Sequence, residues 1–148
     1  MDMTKLREEI TSDEGRRRNP YKDMRGIWTG GVGHALQPHG ASWDDICAWL
    51  QTGIPDAVID GWLTKDIENA ILICQRVFPT FADLTDNRQR VLANMAFDLA
   101  DGLEDWHGLK TAIAAKDWTG ASLAIMDSTF AHQAPCRCSR LAARMVEG

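Results

Sequence analysis

The chain reads as an α+β protein, and three stretches of its pattern say so. Between Tyr21 and His34, Gly26, Gly30, Gly31 and Gly33 punctuate Ile27, Trp28 and Val32, which predicts short strands and tight turns in a small antiparallel sheet. From Asp56 to Phe78, apolar residues recur at helical intervals through Ile59, Trp62/Leu63, Ile67, Ala70/Ile71, Cys74 and Val77/Phe78. Beyond Pro79 the stripes are again helical: Val91, Leu92, Met95 and Leu99; then Trp106, Leu109 and Ile113; then Leu123, Ile125 and Met126. Such helices bury their stripes against one another. The expectation is one domain over residues 1–148 with two lobes. A small lobe with the sheet covers about 1–55, a connecting helix 56–78, and a helical lobe 79–148.

Taken in order, Leu6–Asp13 predicts a short first helix, ended by Gly15 and by a turn at Asn19-Pro20. The strands follow, and Ala35–Gly40 reads as loop. Ser42 is placed to cap a helix running through Trp49. Gly61 sits inside the long helix at about 1 kcal/mol relative to alanine, with no reason visible in the sequence. Later helix starts are expected at Thr85, near Glu104, near Asp117 and near Pro135. No repeat, low-complexity tract or flexible linker interrupts the pattern.

At 148 residues the chain can bury one substantial core and is too short for two independent domains. With 45% apolar and 25% charged residues it has the composition of an ordinary soluble globular protein. A net charge of -5 argues against a nucleic-acid partner. The run Arg16-Arg17-Arg18 reads as a solvated helix end. Met1–Leu6 contains no apolar stretch that would serve as a signal peptide or membrane anchor, so a cytoplasmic, monomeric protein is expected. Cys47, Cys74, Cys136 and Cys138 are then expected as free thiols. Cys136-x-Cys138 with His132 before it lacks zinc-site spacing and a second ligand pair, so neither a metal nor another cofactor is expected.

The chemistry-bearing residues are Glu14, Asp23 and Thr29. Eight residues separate the glutamate from the aspartate and five separate the aspartate from the threonine. A carboxylic acid, a second carboxylate and a hydroxyl are the parts needed to protonate a glycosidic oxygen and aim a water at the anomeric carbon. Each has a plainer reading. Glu14 is a solvated charge at a helix end, Asp23 an Asx turn leading into Met24-Arg25-Gly26, and Thr29 a strand residue. Asp66 falls on the apolar stripe of the long helix, between Leu63 and Ala70, where an unpaired charge is costly.

The surroundings of these residues carry more information than their spacing. Glu14-Gly15, then Tyr21-Lys22-Asp23, then Gly26-Ile27-Trp28-Thr29-Gly30-Gly31-Val32-Gly33-His34 resembles the phage lysozyme family, the T-even type muramidases of glycoside hydrolase family 24. Arg90–Leu99 resembles the family's central core helix, and Lys116-Asp117-Trp118 its turn between two later helices. Asp127–Arg140 is similar to its closing segment, so the resemblance runs from about Leu6 to Met145.

The resemblance implies a two-lobed lysozyme-like fold with a cleft for an extended sugar chain. It implies hydrolysis of the β-1,4 bond between N-acetylmuramic acid and N-acetylglucosamine in bacterial peptidoglycan, with inversion. Glu14 is then the general acid, Asp23 the carboxylate acting through water, and Thr29 the hydroxyl that helps hold that water. His34 becomes the partner of Asp66, Arg137 packs near Glu14, and Phe97 and Ala35 contact substrate. The implied role is a phage endolysin, kept in the host cytoplasm until the membrane is permeabilised and then acting in the periplasm. The alternatives are a virion-associated tail lysozyme and, with less support, a lytic transglycosylase. A wall-binding module without catalysis would have no need of the acid. This chain departs from the family pattern at Gly30, where isoleucine or a similar residue is usual, and at Phe130, where tryptophan is usual; the glycine should loosen the strand beside Thr29.

Overall fold

The computed structural model describes the backbone of residues 1–148 and every side chain except that of Asp101. The order is α1 (Met3–Glu14), β1 (Arg17–Lys22), β2 (Trp28–Gly31), β3 (His34–Ala35), α2 (Trp43–Thr52) and α3 (Asp56–Val77). It continues with α4 (Asp86–Leu99), α5 (His107–Ala114), α6 (Trp118–Met126), α7 (Thr129–Gln133) and α8 (Pro135–Glu147). Short 3-10 segments cover Phe81–Asp83 and Ala100–Asp105. The fold is therefore α+β, with one small sheet among helices. It divides into two compact units, Arg7–Glu68 and Met1–Leu6 with Asn69–Gly148, so α1 and α3 each run from one unit into the other. Among the described residues no helix is long and apolar enough to cross a membrane.

In the unit Arg7–Glu68 the three strands pair antiparallel in the order β1-β2-β3. Tyr21 faces Thr29 and Lys22 faces Trp28, but the next pair is Arg17 with Gly31, so β1 bulges between Arg17 and Tyr21. The expected turn at Asn19-Pro20 is this bulge. Pro20 has no N–H to give a ladder, and a bulge is where a strand tolerates it. The arginine run is likewise not a helix end. Gly15, at φ +74°, stops α1, and Arg17 and Arg18 belong to the strand.

The bulge is filled from the segment after α2. Ile54 N–H donates to the Arg18 carbonyl at 2.8 Å, and Arg18 Nε donates to the Ile54 carbonyl at 3.3 Å. This sets Ile54, fully buried, over β2, where its Cδ1 occupies the place a Cβ on Gly30 would take. Gly30 therefore does not loosen the strand as expected; its missing side chain is the space that Ile54 fills. Ser42 caps α2 in a full capping box with Asp45. Ile10, Val32, Leu36, Ile46, Ile59, Leu63 and Ile67 complete the buried aliphatic set of this unit.

The other unit is helical. α6 packs against α8 and α5, and α4 and α7 also pack on α8. Thr85 and Asp117 cap α4 and α6 through their side chains, and Pro135 opens α8, at the expected places. The start expected near Glu104 comes later, at His107, because Ala100 takes φ +47° and the following residues wind into a 3-10 segment. The helix α7 has no counterpart among the expected elements. The stripe on α6 also differs: Leu123 and Met126 are exposed, while Ala121 and Ile125, four apart, are buried. A small residue at the contact allows close approach to the neighbouring helices. Gly61 lies exposed on α3 with nothing within 4 Å of where a Cβ would stand, and the structure gives it no role.

The Gly30–Ile54 contact yields a reciprocal test. Gly30→Ile should destabilise the protein by about 1–3 kcal/mol through overpacking. Ile54→Ala alone should cost about 2–5 kcal/mol through a cavity. The double variant should be more stable than the sum of the two losses, read as coupling in urea denaturation; strict additivity would show that the two side chains do not share the space.

Candidate active site

Glu14 closes α1 and is half-buried. Gly15 N–H donates to the Thr11 carbonyl at 2.9 Å, after which the positive φ of the glycine turns the chain into β1. The Glu14 carboxyl group rests on the turn between β2 and β3. A Cβ on Gly33 would stand 3.3 Å from Glu14 Oε2, and Gly33 has φ +70°. The backbone angle calls for glycine there, and its missing side chain leaves the Glu14 carboxyl group its place.

Asp23 begins the five-residue turn between β1 and β2. Its Oδ1 accepts from the Arg25 N–H at 2.8 Å and the Ile27 N–H at 2.9 Å, while its own N–H donates to the Ile27 carbonyl at 3.0 Å. The Asx-turn reading is therefore correct as local structure, and it leaves the second oxygen, Oδ2, to other work. Arg25 Nε lies 3.5 Å from that oxygen. The Ile27 N–H, then the Arg25 N–H and guanidinium, hold the Asp23 carboxyl below its ordinary value against the opposing push of desolvation. Asp23 is a carboxylate that stays ionised.

Thr29 is buried in the middle of the sheet, paired with Tyr21 on one side and Ala35 on the other. Its hydroxyl donates to the Ile27 carbonyl at 3.1 Å. With its proton so committed, Thr29 Oγ1 keeps its lone pairs as acceptors. Asp23 and Thr29 are thus tied to one residue's backbone, that of Ile27. Ala35 stands beside Thr29 in the next strand, half-buried.

His34 and Asp66 form a hydrogen-bonded pair, with Nδ1 2.7 Å from Oδ2. The nitrogen facing the carboxylate carries the proton. His34 is 7% exposed and stacks on His39 at 4.5 Å and on Trp62 at 4.6 Å; Trp62 in turn meets the edge of Trp49. Two rings stacked at such distances must use opposite faces of the imidazole. The pair therefore joins β3, the loop after it, α2 and α3. Phe97 and Arg137 lie in the other unit. Phe97 is half-buried on α4, and Arg137 on α8 donates to Asn94 Oδ1 at 2.9 Å and the Asn94 carbonyl at 3.0 Å.

Several contributors have no signal in the sequence. Ile27 acts through backbone atoms, and the ring stack depends on a loop conformation that brings His39 back to His34. Gly33 was legible as a turn residue, though not as the seat of Glu14. All four cysteines are free thiols; burial pushes the Cys74 thiol up to about 12, which makes it inert. Among the described residues no group of three or more His, Cys, Asp or Glu side chains is placed to hold a metal ion.

Residues 11–139 match the sequence model of the phage lysozyme family. The chain belongs to the phage lysozyme family. Two relatives illustrate the range of proteins in which similar sequence occurs. The chain is 28% identical to the pre-baseplate central spike protein Gp5 of Enterobacteria phage T4, over 97% of its own length and 28% of the spike protein's. It is 24% identical to probable T4-type lysozyme 2 of Dictyostelium discoideum, over 94% of its own length and 92% of the relative's. The chain thus spans less than a third of the spike protein and nearly the whole of the Dictyostelium lysozyme.

Leaving a buried charge without its partner costs about 3–5 kcal/mol. Asp66 keeps 26% of its side-chain exposure, so a smaller loss is expected here. His34→Asn and Asp66→Asn should each lower stability by roughly 2–3 kcal/mol, or roughly 4–12 °C in Tm, while residual catalysis persists. Loss of activity at unchanged Tm would make the pair part of the chemistry instead.

Proposed function

We propose that this chain is a lysozyme that hydrolyses the β-1,4 bond between N-acetylmuramic acid and N-acetylglucosamine in bacterial peptidoglycan. The observation that carries the reading is the sharing of the Ile27 backbone by an ionised Asp23 and a hydrogen-bonded Thr29, on the sheet whose next turn seats Glu14. Membership of the phage lysozyme family supports the same reaction.

The proposed mechanism follows from which atoms are already occupied. Asp23 Oδ1 is taken by two backbone N–H groups, which leaves Oδ2, shared with Arg25 Nε at 3.5 Å, as the acceptor for a water. Thr29 Oγ1, its own proton given to Ile27, accepts the second water hydrogen. The water so held has both protons engaged and a lone pair free to attack the anomeric carbon. Glu14, protonated, gives its proton to the departing glycosidic oxygen as the C–O bond breaks. Asp23 takes the proton released by the water as the new C–O bond forms. Attack by a water held between substrate and base inverts the anomeric carbon. Ala35, beside Thr29, and Phe97 are assigned to glycan contact on the family resemblance, and Arg137 to the support of Glu14.

The biological role we propose is that of an endolysin, acting as a monomer on the wall of the host from within once the membrane is permeabilised. The similarity to a phage spike protein favours a second reading, in which the same reaction opens the wall locally at entry. Presence of the protein in purified particles separates the two. Lytic transglycosylase chemistry needs only one acid, so the Asp23–Thr29 arrangement favours water as the nucleophile.

Three measurements test the reading. Glu14→Gln should leave a folded protein with below about a hundredth of wild-type activity on permeabilised cells, in line with the roughly 10²–10⁴-fold typical of a lost general acid. Retention of a tenth or more removes Glu14 from that role. Asp23→Asn keeps an oxygen for the two N–H groups while removing the charge, so the turn and Tm should persist and turnover fall. Mass analysis of the released muropeptides should show reducing ends and no anhydro-muramic ends.

The pH dependence follows from Asp23. Its folded value is lowered, so its stabilising contribution is fully present above the unfolded carboxylate value of about 3.9 and is lost as pH falls through the lower folded value. The acid limb of the rate profile should accordingly lie below about pH 4. Arg25→Gln should move that limb to higher pH, because one of the groups favouring the carboxylate is gone. A limb that does not move assigns it to another group.

A further inference from the structure

Asp60, on α3, accepts from two guanidinium groups that flank Glu14 in sequence. Arg7 Nη2, seven residues before Glu14, donates to Asp60 Oδ1 at 3.0 Å, and Arg16 Nη1, two residues after it, donates to the same oxygen at 2.9 Å. The lacing extends one turn in each direction along α3. Arg16 Nη2 donates to Asp56 Oδ1 at 2.9 Å, and Arg7 Nη1 donates to Thr64 Oγ1 at 3.0 Å. Residues 56, 60 and 64 lie four apart on one face of the helix. The last two turns of α1 and the start of β1 are therefore fixed to a single stripe of α3.

The same turn of α3 also registers the sheet. Ile59, next to Asp60 and fully buried, has its Cγ2 3.1 Å from where a Cβ on Gly31 would stand. Gly31 is two residues from Thr29 in β2. One turn of α3 is thus a common reference for the helix that ends in Glu14 and for the strand that carries Thr29.

Stability is a poor explanation for this arrangement. Asp60 is 52% exposed, and exposed ion pairs contribute little to folding. Geometry is a better one, because an acid must sit within hydrogen-bond reach of the leaving oxygen, and a misplacement of about 1 Å is enough to cost about 100-fold in rate. We propose that Asp60 is a positioning residue for Glu14. By holding Arg7 and Arg16 together it fixes the end of α1, and with it the Glu14 carboxyl group, relative to the hairpin of Asp23 and Thr29. The proposal rests on Glu14 being the general acid.

The test compares Asp60→Asn, Arg16→Gln and Asp60→Glu in the full chain, with Glu14→Gln beside them, using kcat and KM on soluble peptidoglycan fragments together with Tm. Asp60→Asn and Arg16→Gln should each lower kcat by about 5- to 20-fold with KM within about twofold and Tm nearly unchanged. Asp60→Glu, which keeps a carboxylate for both arginines, should recover most of the lost kcat. A purely electrostatic influence on Glu14 would act with opposite sign in the two charge-removing variants and shift the alkaline limb of the pH profile in opposite directions. That result overturns positioning, as does an unchanged kcat in Asp60→Asn or a loss matched by unfolding. If Glu14→Gln stays active, the acid assignment itself has failed; if it is inactive while Asp60→Asn is unaffected, only the positioning role has.

Discussion

The backbone of Ile27 serves two side chains at once, and the chemistry of the hairpin rests on that sharing. Its N–H holds Asp23 Oδ1, while its carbonyl takes the Thr29 hydroxyl and the Asp23 N–H. Each bond is ordinary by itself. Together they leave neither side chain able to turn without losing a bond to a part-buried backbone group, where a stranded donor or acceptor costs about 1–3 kcal/mol. The turn also decides which acceptors lie outside its own hydrogen bonds, Asp23 Oδ2, 3.5 Å from Arg25 Nε, and the lone pairs of Thr29 Oγ1.

Around that hairpin, absent side chains matter as much as present ones. Gly30 leaves room for Ile54, Gly31 for Ile59 and Gly33 for the Glu14 carboxyl group. Three approaches from three different segments meet a stretch of four residues. β2 and its turn are consequently packed from three sides. The bulge in β1 belongs to the same arrangement, because it frees the Arg18 carbonyl to bond Ile54 and so places the side chain that Gly30 admits.

Charge is used locally. With a net charge of -5 the chain has no global attraction for an anionic polymer, and the arginines beside the site are already engaged. Arg16 holds Asp56 and Asp60, Arg17 lies over the Tyr21 ring at 4.5 Å, and Arg18 bonds the Ile54 carbonyl. The basic run is exposed, as a solvated patch would be, and it also bonds α3 and the segment after α2. His34 is held as locally, its hydrogen-bond partner and its two ring neighbours being drawn from α3 and from the loop after β3.

The sequence by itself determined the α+β class, the long helix from Asp56, the caps at Ser42, Thr85 and Asp117, and the family to which the chain belongs. These are legible because periodicity, capping and turn glycines act between residues close together in the chain. It also marked Asp66 as a charge in need of a partner, since its place on an apolar stripe is a local fact. Only the tertiary structure decided that Asn19-Pro20 is a bulge, that Leu123 and Met126 face outward, and that Gly30 is packed beneath Ile54. It alone brought Arg7, Arg16 and Asp60 together. Each of these outcomes depends on which segment arrives opposite another, and pairings between residues tens of positions apart are set by packing and by backbone bonds that leave no pattern in the sequence.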